Sequence, residues 1–181
     1  KFKNNPNSFP KYAAGITKLL EQGHAERVPG SEIVTREGQS RHIPHRLVSH
    51  PRKSPRIVFD TSMKTRGVCL NDMMHTGPDL LQNLVGVFVR FRRYAIPISC
   101  DIQAFYLSVH LPKSDCDFFR FYWYLNPEDR NSPIVQYRFK VHIFGGNASQ
   151  ACCVHAMNSV IDRGIQDGII SEIEAENIKK S

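Results

Sequence analysis

The sequence predicts an α+β fold in which an antiparallel sheet packs on helices. Three observations carry this reading. The predicted elements run helix, hairpin, helix, strand, hairpin, helix; two aromatic-rich β runs flank one turn; and strands do not alternate with helices as a doubly wound sheet requires.

Residues 8–23 form the first predicted helix. Ser8 is the N-cap, Pro10 lies in the first turn, Tyr12, Ala13, Ile16, Leu19 and Leu20 make an apolar face, and Gly23 is the stop. Residues 29–41 are polar and read as a loop or loose hairpin. Residues 42–49 and 56–61 read as two strands joined by "PRKSP", whose prolines and charges predict a mobile, basic hairpin tip. In "GPDLLQNLVGVFVRFRR" the pattern predicts a long helix. Pro78 stands at its start, Leu80, Leu81, Leu84, Val85, Phe88 and Phe91 form a core-facing stripe, and Arg90, Arg92 and Arg93 sit in the last turn, where the helix dipole favours cations.

The next stretch, "YAIPISCDIQAFYLSVHL", raises the main functional question. Residues 96–100 are short and apolar, which suits a strand covered on both faces. An unpaired charge inside such a strand is costly, so Asp101 is expected at its end, facing a cleft, a partner or a cation. The alternative is an Asp that caps a helical turn over residues 104–109. "FFRFYWYL" and "IVQYRFKVHIF" then read as strands about the turn "NPEDRNSP", and the aromatic run reads as a packed strand more readily than as a base-stacking platform. Gly145 and Gly146 end the pattern before a helix over about residues 148–163, and "SEIEAENIKK" begins another.

Composition narrows the function classes. Hydrophobic residues at 41% and charged residues at 23% describe a globular chain. The formal charge of +7 favours a polyanionic partner, nucleic acid first and an anionic membrane surface second. No apolar run approaches the roughly 20 residues of a membrane-spanning helix, and the N-terminus lacks a signal-peptide core, so no membrane partner is expected. The missing initiator Met predicts an internal piece of a longer protein. Cys69, Cys100, Cys116, Cys152 and Cys153 are odd in number and lack CxxC spacing; reduced, mostly buried thiols in an intracellular protein are expected. His42 and His45 in "HIPH" have no second pair at finger spacing and read as strand or loop histidines.

An ordered set of elements remains: "GHAERV", "RIVFDTS", "LNDMMHTGPDLLQNLVGVFVRFR", "CDIQAFYLSVHL" and "VHIFGGNAS". Together, over about residues 11–163, they resemble the reverse transcriptase of BEL/Pao-type LTR retrotransposon Pol polyproteins. The resemblance implies the fingers and part of the palm of a right-hand polymerase, with residues 1–93 as the N-terminal helix and fingers and 94–181 as the partial palm. It implies an RNA-directed DNA polymerase that uses two divalent cations, Mg²⁺ or Mn²⁺, to stabilise the attacking and leaving oxygens of nucleotidyl transfer. The implied partners are an RNA or DNA template-primer, deoxynucleoside triphosphates and the rest of the polyprotein. The implied location is cytoplasmic, in retroelement particles, with access to the nucleus.

Residue by residue, Asp101 matches the first metal-binding Asp, and the carbonyl of Ile102 supplies a further oxygen. Tyr106 matches the aromatic beneath the incoming sugar, which selects deoxyribonucleotides; packing under the following helix is the alternative. Arg56 matches the fingers arginine that grips the triphosphate. Lys53 is a second candidate phosphate contact, with solvated surface charge as its alternative. Gly145 matches the glycine that lets template or nucleotide approach the backbone. Asp60 reads as structural. Phe144 stands where many retroviral relatives have Gln, and Gln150 where the family usually has Pro. The second metal motif, an aromatic-x-Asp-Asp hairpin, is missing: no Asp-Asp pair occurs in the 181 residues. The chain alone is therefore expected to be inactive. Its alternative is a decayed or domesticated element that binds nucleic acid or a protein without catalysis.

Overall fold

The structure, a computed structural model, describes residues 8–36, 38–50, 52–93 and 95–181, and of His50 and Lys53 the backbone only. Glu37, Pro51, Tyr94 and the segment 1–7 lie outside the described residues. The α+β expectation holds: small antiparallel sheets and helices make up the chain.

Helix α1 (Ser8–Glu21) buries Phe9, Tyr12, Ala13 and Ile16, spaced at the three- and four-residue intervals of one helix face. It ends where Gly23 turns to φ +70°, with His24 N donating to Leu19 O and Gly23 N to Leu20 O, both at 3.0 Å. That paired geometry needs a left-handed residue, and glycine adopts it without a Cβ clash. The chain then enters β1 (Ala25–Arg27), which pairs with β5 (Ile134–Phe139); β5 in turn pairs with β4 (Arg120–Tyr124). The sheet order is β1-β5-β4, all antiparallel.

One face of this sheet carries Phe121, Trp123, Tyr137 and Phe139, all buried. Trp123 meets α1 directly, its ring 4.6 Å from that of Tyr12 and 5.9 Å from that of Phe9. The aromatic run is thus a packed strand, with Tyr122 alone turned outward against His42. A second hairpin, β2 (His45–His50) with β3 (Lys53–Phe59), lies against α1, and Phe59 joins the same core. "PRKSP" is a shorter tip than expected, since Lys53, Ser54 and Pro55 belong to β3.

Two expectations fail. The long helix shrinks to α3 (Leu84–Phe91) because Asn83 caps it, accepting from Val85 N at 3.0 Å and Gly86 N at 3.3 Å. Asp79 upstream accepts from Leu81 N in an Asx turn, which competes with helix over residues 78–83. Its apolar stripe is not core: α3 has no buried residue, and Leu84, Val85, Phe88, Val89 and Phe91 are exposed. Residues 96–100 form no strand, and Ile96 and Ile98 are 80% and 84% exposed. Pro97, between them, has no N–H to give a ladder, and a buried strand exists only through a partner that none of the described segments provides.

The short α2 (Leu70–Met73) lies between β3 and α3, and the chain closes with the long α4 (Ser149–Gln166) and α5 (Glu172–Lys179). Helix α5 starts in a reciprocal capping box between Ser171 and Glu174 and packs on α4, burying Ala175. Among the described residues no helix is long and apolar enough to cross a membrane.

Candidate functional site

The motifs singled out in the sequence meet around the loop that joins β5 to α4. Residues 109–111 run beside residues 140–142: His142 N donates to Val109 O at 2.9 Å, and Leu111 N to Lys140 O at 2.8 Å. This pairing lays the end of "DIQAFYLSVHL" against the start of "VHIFGGNAS". Just before it, residues Phe105–Ser108 form a single 3-10 turn, entered through Ala104 at φ +54°. The turn aims Tyr106 at Phe144, with ring centroids 4.4 Å apart and planes at 62°. Tyr106 is half-buried and Phe144 exposed, so the pair forms a partly open aromatic edge.

Gly145 is the hub. Its φ of +92° is reached cheaply only without a side chain, and an added Cβ would meet Thr61 Oγ1 at 3.3 Å. Its carbonyl accepts from Thr61 Oγ1 at 2.5 Å and from Asn71 Nδ2 at 2.9 Å. Asn147 then closes on Asn71 twice, its N donating to Asn71 Oδ1 and its Nδ2 to Asn71 O, each at 3.1 Å. Asn71 N itself donates to Thr61 O at 3.2 Å. Thr61 is buried, which gives this lock a fixed base. "RIVFDTS", "LND" and "HIFGGNAS" are therefore held as one unit with "DIQAFY" beside it.

Asp101 and Ile102 are exposed and lie in no helix or strand. The capping alternative for Asp101 is not realised, because the 3-10 turn that follows has no side-chain cap. Arg56 is exposed on β3, opposite Val48, and no hydrogen bond or ion pair joins it to the Gly145 loop. The backbone of Lys53 starts β3, and its side chain lies outside the described residues. Among the described residues no group of three or more His, Cys, Asp or Glu side chains gathers as a metal site.

The histidines of "HIPH" are structural. His45 has Tyr12 Oη at its Nδ1, and its Nε2 lies 3.0 Å from Tyr122 O; burial holds its pKa below the ordinary value, against the pull of that carbonyl. His42 Nε2 lies 3.1 Å from Gln136 Oε1. Asp60 Oδ1 accepts from Ser62 Oγ at 2.6 Å and Ser62 N at 3.1 Å, bonds that keep its carboxyl below the usual range. All five cysteines are free; Cys69, Cys116 and Cys153 are buried, Cys100 and Cys152 exposed.

The Thr61–Asn71–Asn147 lock was not legible from motif spacing, although the side chains that build it stand in "DTS", "LND" and "GGNAS". A charged cluster on the far face of the main sheet was equally hidden. Its one signal was an arginine inside each aromatic β run, Arg120 and Arg138. No family model matches the chain, and no curated protein matches it.

Proposed function

We propose that the chain is part of a reverse transcriptase domain of the BEL/Pao type, with residues 1–93 as the N-terminal helix and fingers and 94–181 as part of the palm. The observation that carries this reading is the convergence of separated motifs on one loop. Thr61 and Gly145 stand 84 positions apart and share a hydrogen bond, while Asn71 and Tyr106 join the same loop.

On this reading the exposed Gly145 loop and the Tyr106 ring receive the sugar of an incoming deoxynucleoside triphosphate opposite an RNA or DNA template. Tyr106 leaves no room for a 2′-hydroxyl. Arg56, exposed on β3, grips two phosphate oxygens at once, with Lys53 as a second contact. Two Mg²⁺ or Mn²⁺ ions, when bound, stabilise the attacking and leaving oxygens. Asp101 and the Ile102 carbonyl would supply oxygens to one of them. A lone carboxylate does not fit a two-ion site, so the reading assigns the remaining carboxylates to a segment outside these residues. The apolar faces of α3 and residues 96–98 offer that segment a surface to pack on.

The exposed setting of Asp101, without a strand beneath it, favours a second reading: a nucleic-acid-binding or protein-interaction domain without catalysis. A longer chain of the same protein that includes an aromatic-x-Asp-Asp segment separates the two. Templated primer extension by it, abolished in Asp101→Asn with duplex binding retained, supports the polymerase. Duplex binding without extension supports the second reading.

A further inference from the structure

One cavity of about 410 Å³ collects soft donor side chains that the polymerase reading leaves unused. Met73 at the end of α2, Met74 after it, His142 after β5 and Cys152 in the first turn of α4 all line it. Cys152 is a free, exposed thiol, and Met73 is 50% exposed, so the core claims neither. Leu111 and Phe118 add apolar wall.

His142 points to a ligand independently. It is only 7% exposed, and its Nδ1 is buried without a hydrogen-bond partner among the described residues. An orphaned N–H is among the rarest buried features of native proteins, whereas an unused lone pair is better tolerated, so Nδ1 carries the lone pair. A neutral imidazole nitrogen in that form is the commonest metal ligand in proteins. The remaining polar lining, His75 and Asp115, is exposed to solvent.

The donor set decides the ion. Among the described residues no group of three or more His, Cys, Asp or Glu side chains gathers, which leaves a hard or borderline divalent ion short of ligands. Thioether and thiolate sulfur select Cu(I) instead. Charge agrees, because one thiolate neutralises a monovalent ion, whereas a divalent ion would keep a net charge against the apolar walls at a high desolvation cost. We propose that the cavity binds Cu(I) through Cys152 Sγ, the thioethers of Met73 and Met74 and His142 Nδ1, with the Cys152 thiol releasing its proton to solvent. Methionine is unbranched and adaptable, so its sulfur can close on the ion from the cavity wall. The site is independent of the polymerase reading, since it uses none of Asp101, Tyr106, Arg56 or Gly145.

Silver(I), a soft monovalent cation that needs no reductant, is the probe. The chain holds four methionines, and Met63 and Met157 do not line the cavity. Titration of the full chain with silver nitrate in chloride-free buffer, followed by ¹³C-methyl methionine NMR, is expected to shift Met73 and Met74 at the first equivalent and leave Met63 and Met157 in place. The ¹⁵N resonance of His142 Nδ1 should move with them. Cys152→Ser should abolish the methionine shifts, whereas Cys100→Ser, at the other exposed thiol, should leave them unchanged. Zn²⁺ at the same concentration should move neither methionine. Equal shifts of all four methionines, shifts that survive Cys152→Ser or appear equally with zinc, an unmoved His142 Nδ1, or silver uptake with Met73 and Met74 in place would each overturn the proposal. The comparison of methionines and of the two ions on the unsubstituted chain decides the matter even if Cys152→Ser does not fold.

Discussion

Arg120 and Arg138 stand directly opposite one another across β4 and β5, and both are buried. Like charges so placed repel, so the pair exists only because carboxylates enclose it. Asp117 Oδ1 bridges the two, accepting from Arg120 Nε and Arg138 Nη1, each at 3.0 Å. Glu26 and Glu32 complete the shell of Arg138, and the carbonyls of Glu32 and Ile33 with Gln136 Oε1 complete that of Arg120.

Asp117→Asn should therefore cost more than a surface ion pair. Removing one partner of a buried charged group typically costs about 3–5 kcal/mol, because the other charge stays buried. Urea unfolding should register the loss. Burial pushes the Asp117 carboxyl up, but hydrogen bonds and charges from Arg138 and Arg120 outweigh it and hold the group below the usual range. A depressed folded pKa gives stability that is present above the unfolded value and lost as pH falls through the folded one. Unfolding free energy should thus drop as pH falls below about 4, and the drop should be smaller in Asp117→Asn.

Gly145→Ala tests the hub of the motif cluster. The positive φ alone should cost roughly 1–2 kcal/mol, and the new Cβ presses on Thr61 Oγ1. Gly38→Ala, also at positive φ but with open space around it, should cost a similar amount without disturbing the loop. The discriminating measurement is the aromatic resonances of Tyr106 and Phe144, expected to move in the first variant and not in the second.

Histidine burial sets a second pH window. His24, His42, His45 and His142 are each held below the ordinary value, first of all by burial. The unfolded chain then takes up protons before the folded one, so stability should fall as pH drops below about 6.5. His45→Phe keeps a ring among Tyr12, Phe59 and Trp123 but does not titrate. It should lower stability at pH 7.5 and flatten the slope between pH 7 and 5 in denaturant titrations.

Tyr106→Val asks whether the ring is a sugar gate or packing for Phe144. In a longer, active chain the change should raise ribonucleotide use relative to deoxyribonucleotide use, since relieving a steric clash requires only space. A ring that only packs would instead lower both alike and shift the melting temperature downward. The ratio of kcat/KM values for the two substrate classes decides.

What the sequence determined by itself was local. Helix α1 with its Gly23 stop, the β4–β5 hairpin about its turn, α4 after the paired glycines and α5 all follow from caps, turns and periodicities that lie within a few residues. Even the shortened α3 was written locally, in the Asn83 cap and the Asp79 turn, which the longer apolar pattern concealed. The ordered motifs were legible too, because each is a short string.

Only the tertiary structure decided which of those strings meet and which surfaces are covered. Tyr106 reaches Phe144 because residues 109–111 align beside residues 140–142, and Thr61 and Asn71 reach Gly145 through its carbonyl, relations no local signal contains. Apolar residues 96–100 and the α3 stripe read as buried, yet burial is a property of two surfaces, and these find no partner among the described residues. The burial of Arg120 and Arg138 was hidden for the converse reason. Their burial depends on residues 26–33 wrapping the sheet from 87 to 112 positions away, where carboxylates and carbonyls offset the desolvation of two guanidiniums.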